Sequence, residues 1–162
     1  MVDSSNYTLD KESLDKELAK QSEWNKILIL DHKGHVITSK NLADSPSAEE
    51  IKYFHPSLSR LFLDCLEDRS KTIGPGFNLC GEHFDILRFH PPLVYGRRGA
   101  PDEGEGEGIA YCRAKSKVSN ENIHFIITYV LPIVSARAIP QMLEFVKKYG
   151  ILYVISIVGD PM

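Results

Sequence analysis

The chain has 162 residues, 43% hydrophobic and 25% charged, with a formal net charge of −3 and a pI near 6.1. That is enough apolar material for one core and one domain, and too little positive charge for a global pull toward nucleic acid or anionic membrane. Cys65, Cys80 and Cys112 are odd in number and lack C-x-x-C spacing, which speaks against a disulfide framework or a zinc site and for the cytosol, while no apolar run approaches the roughly 18 residues of a membrane span.

Residues 1–20 are polar and charged rather than signal-like, with Leu9, Leu14 and Leu18 as a sparse apolar stripe; they predict a mobile or weakly helical arm over residues 1–23 that forms only if it docks. Ile27-Leu28-Ile29-Leu30, the turn Asp31-His32-Lys33-Gly34 and Val36-Ile37-Thr38 read as a hairpin that opens the main domain, residues 24–162. Ser45-Pro46 ahead of Glu49-Glu50 marks a helix start running toward Phe54. His55-Pro56 breaks it, and Leu58, Leu61, Phe62, Cys65 and Leu66 recur at helical spacing in a further helix.

Beyond the turn Gly74-Pro75-Gly76 the chain becomes β-rich at 77–79, 84–88, 108–113 and 124–130. Residues 99–108 form an acidic, glycine-rich loop with Glu103, Glu105 and Glu107, expected to be mobile, unable to bury itself, and repellent to phosphate. A last helix is expected from Ser135–Pro140 through Met142, Leu143, Val146 and Tyr149, with Gly150 as its cap. Residues 151–158 are an apolar, β-branched run that suits a strand or a helix extension. The order is that of an α+β sandwich.

Two stretches carry a resemblance. Gly76-Phe77-Asn78-Leu79-Cys80-Gly81-Glu82-His83-Phe84-Asp85-Ile86-Leu87-Arg88 resembles the profilin segment G-x-x-L-x-G-x-x-[YF]-x-[VI]-[LI]-R, and Tyr95-Gly96-Arg97-Arg98-Gly99 resembles the family's Y-G-[KR]-[KR]-G turn. The opening hairpin and the Ser45-Pro46 helix entry look like their profilin counterparts, so that the resemblance covers about residues 26–149. It implies a central antiparallel sheet with N- and C-terminal helices on one face and a short helix or helices on the other. The long connection 55–71, the acidic insertion 100–107 and the extended ends resemble the divergent archaeal, Asgard-type profilins.

The resemblance further implies a cytoplasmic, cytoskeleton-associated monomer that binds actin and proline-rich segments, is not an enzyme and uses no cofactor or metal. The positions matching the actin face are Ile73, Ile86, Arg88, Arg97, Arg98, Val134, Gln141, Glu144 and Phe145; arginines supply forked hydrogen bonds, and Phe145 lies off the main apolar stripe of its helix. A solvated basic turn is the plainer account of Arg97 and Arg98. For a polyproline groove the aromatics are Tyr7, Trp24, Tyr149 and Tyr153, flat rings with polar tips that suit a polyproline II ligand, although a lone Trp is as often a core residue. Phosphoinositide binding would use Arg97, Arg98, Arg113, Lys115 and Lys117, against the overall charge. The six histidines show no H-x-x-x-H spacing, and no G-x-S-x-G occurs. The rival reading is a roadblock- or longin-like scaffold for a GTPase or trafficking complex, because similar layer orders host unrelated functions; a PAS-type sensor lacks any cofactor residue.

Overall fold

The computed structural model describes residues 8–42, 76–79, 81–99 and 106–152. The expected helices over 45–54 and 58–66, and Tyr7, Ile73 and Tyr153, lie outside them. The elements are α1 (Lys11–Leu18), β1 (Ile27–Leu30), β2 (Val36–Lys40), β3 (Phe77–Leu79), β4 (Glu82–His90), β5 (Leu93–Arg98), β6 (Glu107–Ser116), β7 (Asn122–Val130), α2 (Ser135–Tyr149) and β8 (Gly150–Ile151).

The strands form one antiparallel sheet in the order β2-β1-β7-β6-β5-β4-β3, with β8 added to the far end of β6. The continuous apolar run of β1 is explained by burial on both faces, since alternate side chains of a strand point to opposite sides. Ile27 and Ile29 join Phe125, Ile127, Ala110 and Cys112 under the two helices. Leu28 and Leu30 join Phe84, Ile86, Val94, Tyr111 and Ile126 on the other face. The β1–β2 turn closes as the sequence predicts: Asp31 Oδ1 accepts from the amides of Lys33 and His35, both at 2.9 Å, and Gly34 takes φ +84°.

The N-terminal arm is ordered where it docks. Asp10 caps α1 by accepting from the Ser13 amide at 2.8 Å, and Leu14 and Leu18 are buried in the core. Burying each leucine contributes roughly 2 kcal/mol, which an isolated helix of this length lacks. In α2 the buried stripe is Ala138, Met142, Phe145, Val146 and Tyr149. Both helices therefore cover the same face of the sheet.

Two expectations are corrected. Residues 95–98 are not a turn but part of β5, paired on both sides. Glu107 does not belong to a solvated loop: it opens β6 and is fully buried. Gly150 caps α2 as expected, its amide donating to the Val146 carbonyl, and its extended backbone also begins β8.

Candidate functional site: a cleft between β4–β5 and the start of α2

The site begins with an irregularity in the β4–β5 ladder. Asp85 pairs with Arg97 and Ile86 with Gly96, but the next pair is Arg88 with Tyr95, leaving Leu87 as a bulge. A regular ladder would have set Arg88 opposite Val94 and turned it toward the other face. The extra residue moves it to the face shared by Tyr95 and Arg97, beside α2. At the pivot the strands approach so closely that a Cβ on Gly96 would lie 1.8 Å from the Asp85 carbonyl oxygen, which no side chain tolerates.

Leu87, Arg88, Tyr95, Gly96, Arg97 and Ser135 line a cleft of about 410 Å³. Its rim is apolar, with Leu87 50% and Val134 45% exposed. Arg97 Nε is shut from solvent and has no hydrogen-bond partner among the described residues. Arg88 is exposed, and its Nη1 donates to the Leu87 carbonyl at 3.3 Å. The start of α2 adds partial positive charge, since no side chain caps it and its first turn holds no acidic residue. Behind Ser135, its Oγ lies 2.8 Å from the Tyr129 hydroxyl. Burial pushes the Tyr129 phenol up, against the opposing pull of that hydrogen bond and of the Arg97 charge.

Adjacent residues of a strand face opposite ways, so Arg98 leaves this cleft. Its Nη2 donates to Glu107 Oε1 at 3.0 Å, its guanidinium lies over the Phe84 ring at 5.8 Å, and Glu82 stands at 3.5 Å. The other predicted positions divide. Ile86 is 1% exposed in the core, so it presents no surface. Phe145 is 8% exposed, packed edge-on against Trp24 at 5.5 Å and Phe125 at 6.2 Å, rather than free to anchor a partner. Glu144 is exposed on α2, whereas Gln141 is held by Glu23 at 2.6 Å. Arg113, Lys115 and Lys117 sit at or beyond the opposite end of β6 from Arg98, which pairs with Glu107; eight residues of strand separate Glu107 from Lys115, roughly 26 Å.

Trp24 and Tyr149 come together in the seam between α1 and α2, each 3% exposed and each in the same core cluster as Phe145. The seam is tied by Lys148 donating to Glu17 at 3.1 Å and Arg137 to Glu23 at 2.7 Å. The ties hold the Glu17 carboxyl below the usual range, Lys20 and Lys148 donating against the effect of burial. Above the rings runs a shallow groove of about 280 Å³ lined by Glu17, Gln141, Glu144, Phe145 and Lys148 among others. The Trp24 indole N–H is buried with no hydrogen-bond partner among the described residues.

Leu87, Tyr95 and Ser135 are the cleft residues that sequence reasoning missed. No local signal marked them, because an apolar residue followed by Arg in a β-rich run gives no sign of a bulge. Among the described residues no group of three or more His, Cys, Asp or Glu is placed to hold a metal, and no helix is long and apolar enough to cross a membrane.

An antiparallel sheet with its terminal helices on one face and a bulged strand pair at their edge defines the α+β class to which this chain belongs. Within that class the fold is that of the profilins. No family model matches the chain, and no curated protein does. Among solved structures it is similar to profilin II of Acanthamoeba castellanii, with a TM-score of 0.61 at 16% identity over 86% of this chain and 94% of that one. Profilin IA of the same organism gives 0.58 at 14% identity, covering 84% and 94% of the two chains. The LokiProfilin1/rabbit actin complex gives 0.58 at 13% identity, covering 85% and 92%.

Proposed function

We propose that this chain is a cytoplasmic, cytoskeleton-associated adaptor that binds monomeric actin and regulates its polymerisation by occupancy alone, with no covalent step. The observation that carries the reading is the cleft, where two arginines without acidic partners among the described residues and an apolar rim stand at the β4–β5 edge of a profilin fold. The similarity to a profilin solved in complex with rabbit actin supports it. Apolar surface supplies affinity and the arginines supply orientation, the usual division at a protein interface.

Titrating the purified chain into monomeric actin tests this. The expected outcome is one-to-one binding with slowed spontaneous polymerisation. A chain that forms a stable homodimer and leaves actin unaffected belongs instead with the roadblock- or longin-like scaffolds.

Proline-rich segments are the second ligand we propose, at the α1–α2 seam. Support comes from Trp24 and Tyr149 each packing against Phe145 there, and from an indole N–H that has no partner among the described residues and could donate to a carbonyl of a polyproline II chain. Phosphoinositide binding has less support, because Arg97 stands far along the sheet from Lys115 and Lys117 and Arg98 is already engaged by Glu107.

A further inference from the structure

We infer that the apolar run 151–158 is a self-association strand, which pairs antiparallel with the same run of a second copy of this chain and joins the two sheets through β8. The inference stands apart from actin binding, because the cleft lies at the start of α2 and β8 at its end, roughly 22 Å of helix away.

β8 pairs with β6 on one side, Ile151 with Lys115 and Gly150 with Ser116, and with no other strand among the described residues. Ile151 is 46% exposed there, and Val118, at the same end of the sheet, 90%. The run cannot continue along β6. Its next register partners would be Ala114 for Leu152 and Arg113 for Tyr153, but the Arg113 amide already donates to the Pro92 carbonyl at 3.0 Å, and Cys112 is paired with Leu93 of β5. From Tyr153 onward an uncharged segment, Tyr153-Val154-Ile155-Ser156-Ile157-Val158, is therefore turned away from its own sheet. Four of its six residues are β-branched, and its amides and carbonyls need another strand. Nor does α2 offer an apolar lane back, since its exposed residues are Ala136, Arg137, Pro140, Glu144 and Lys147.

Charge selects a second copy and sets its direction. Lys11, Lys20, Lys26 and Lys148 each hold a carboxylate, whereas Lys115, Lys117 and Lys147 hold none among the described residues. All three stand where the run begins: Lys115 is opposite Ile151, the Lys117 amide lies 3.5 Å from the Tyr149 carbonyl, and Lys147 is in the last turn of α2. Asp160 follows the run two residues after Val158. An antiparallel pair centred between Val154 and Ile155 sets Ile151 against the partner subunit's Val158 and brings the partner subunit's Asp160 to the lysines, twice over in a two-fold dimer. A parallel pair would set lysines against lysines.

Two measurements on the full chain decide it. In the first, sedimentation equilibrium over about 5 to 200 µM is expected to show a monomer–dimer equilibrium with a Kd in the tens of micromolar. Ile155→Lys places two like charges at the two-fold centre and is expected to weaken it about tenfold or more. Asp160→Lys is expected to weaken it about threefold, and Lys117→Asp added to Asp160→Lys to recover part of that loss. Far-UV circular dichroism stays that of the parent in each. A parent that is monomeric throughout, including one that instead sediments with phosphatidylserine vesicles, overturns the inference, as does an Ile155→Lys dimer as tight as the parent's.

In the second, amide hydrogen exchange is followed at the two ends of that concentration range. Protection of residues 153–158 is expected to rise with concentration while that of β6 stays constant. Protection of 153–158 that is independent of concentration places the run on its own chain and overturns the inference. Actin affinity of Ile155→Lys is expected to equal the parent's. Actin binding without a dimer removes the self-association strand alone, whereas a dimer lost in Ile155→Lys upholds it even where the parent binds no actin and the proposed function falls.

Discussion

Glu107 is fully buried, with Lys26 Nζ at 2.9 and 3.0 Å, Asn25 Nδ2 at 2.7 Å and Arg98 Nη2 at 3.0 Å. Burial by itself raises such a carboxyl, but hydrogen bonds from Thr128, Lys26 and Asn25 and the Lys26 charge hold it below the usual range. This residue decides how its neighbourhood is read, because it turns Arg98 into a structural cation and leaves Arg97 for the surface. His124 shows the opposite balance. Buried beneath Tyr111, whose hydroxyl lies 2.7 Å from Nδ1, it is pushed down to about 4 by burial and then by the Arg113 charge, with Asp31 raising it and His32 lowering it. The unfolded chain binds this proton near pH 6.5 and the folded chain only near 4, so stability is full above about 6.5 and falls as pH drops through that window. The loss reaches about 3 kcal/mol. Urea unfolding between pH 7 and 4 is expected to show this slope, and His124→Gln to flatten it; a variant with the parent's slope removes His124 as the cause.

At the scale of elements, strands with apolar alternation or apolar runs were legible, and β1, β2, β4 and β7 fall where their patterns predict. The strand β5 was not, since Tyr95-Gly96-Arg97-Arg98-Gly99 carries two glycines and two arginines, the chemistry of a turn. It is a strand because Gly96 lets the backbones of β4 and β5 close together and because β6 pairs along its whole length. Gly96→Ala is therefore expected to cost about 3 kcal/mol or more in urea unfolding, at the upper end for overpacking, since backbone must move rather than a side chain. Actin binding is expected to fall with it. A variant of unchanged stability would show that the strands separate freely at this point. The acidic loop was misjudged for a related reason: composition marked residues 99–108 as solvated, and the ladder to β7, which pairs Glu107 with Val130, drew its last glutamate inside.

For the molecule as a whole, the aromatic seam is where local chemistry and packing diverge. Trp24, Phe145 and Tyr149 were identifiable as aromatics near the two terminal helices, but α1 lays Leu14 and Leu18 into the same cluster and leaves the rings only a few per cent exposed. A proline-rich peptide that reaches them must shift α1 against the Glu17–Lys148 and Glu23–Arg137 ties. Its binding is expected to need millimolar peptide, to move Trp24 fluorescence, and to strengthen when salt weakens the ties; an unmoved spectrum at that concentration counts against the groove. By itself the sequence determined what periodicity and local turn chemistry encode: the α+β class, the opening hairpin and the last helix; the place of the basic pair Arg97-Arg98 on a partner face came from the resemblance. Only the tertiary structure decided which of those arginines is available, because a strand's two faces differ by one residue. A single bulge at Leu87, invisible to any local pattern, selects the side of the sheet on which Arg88 emerges.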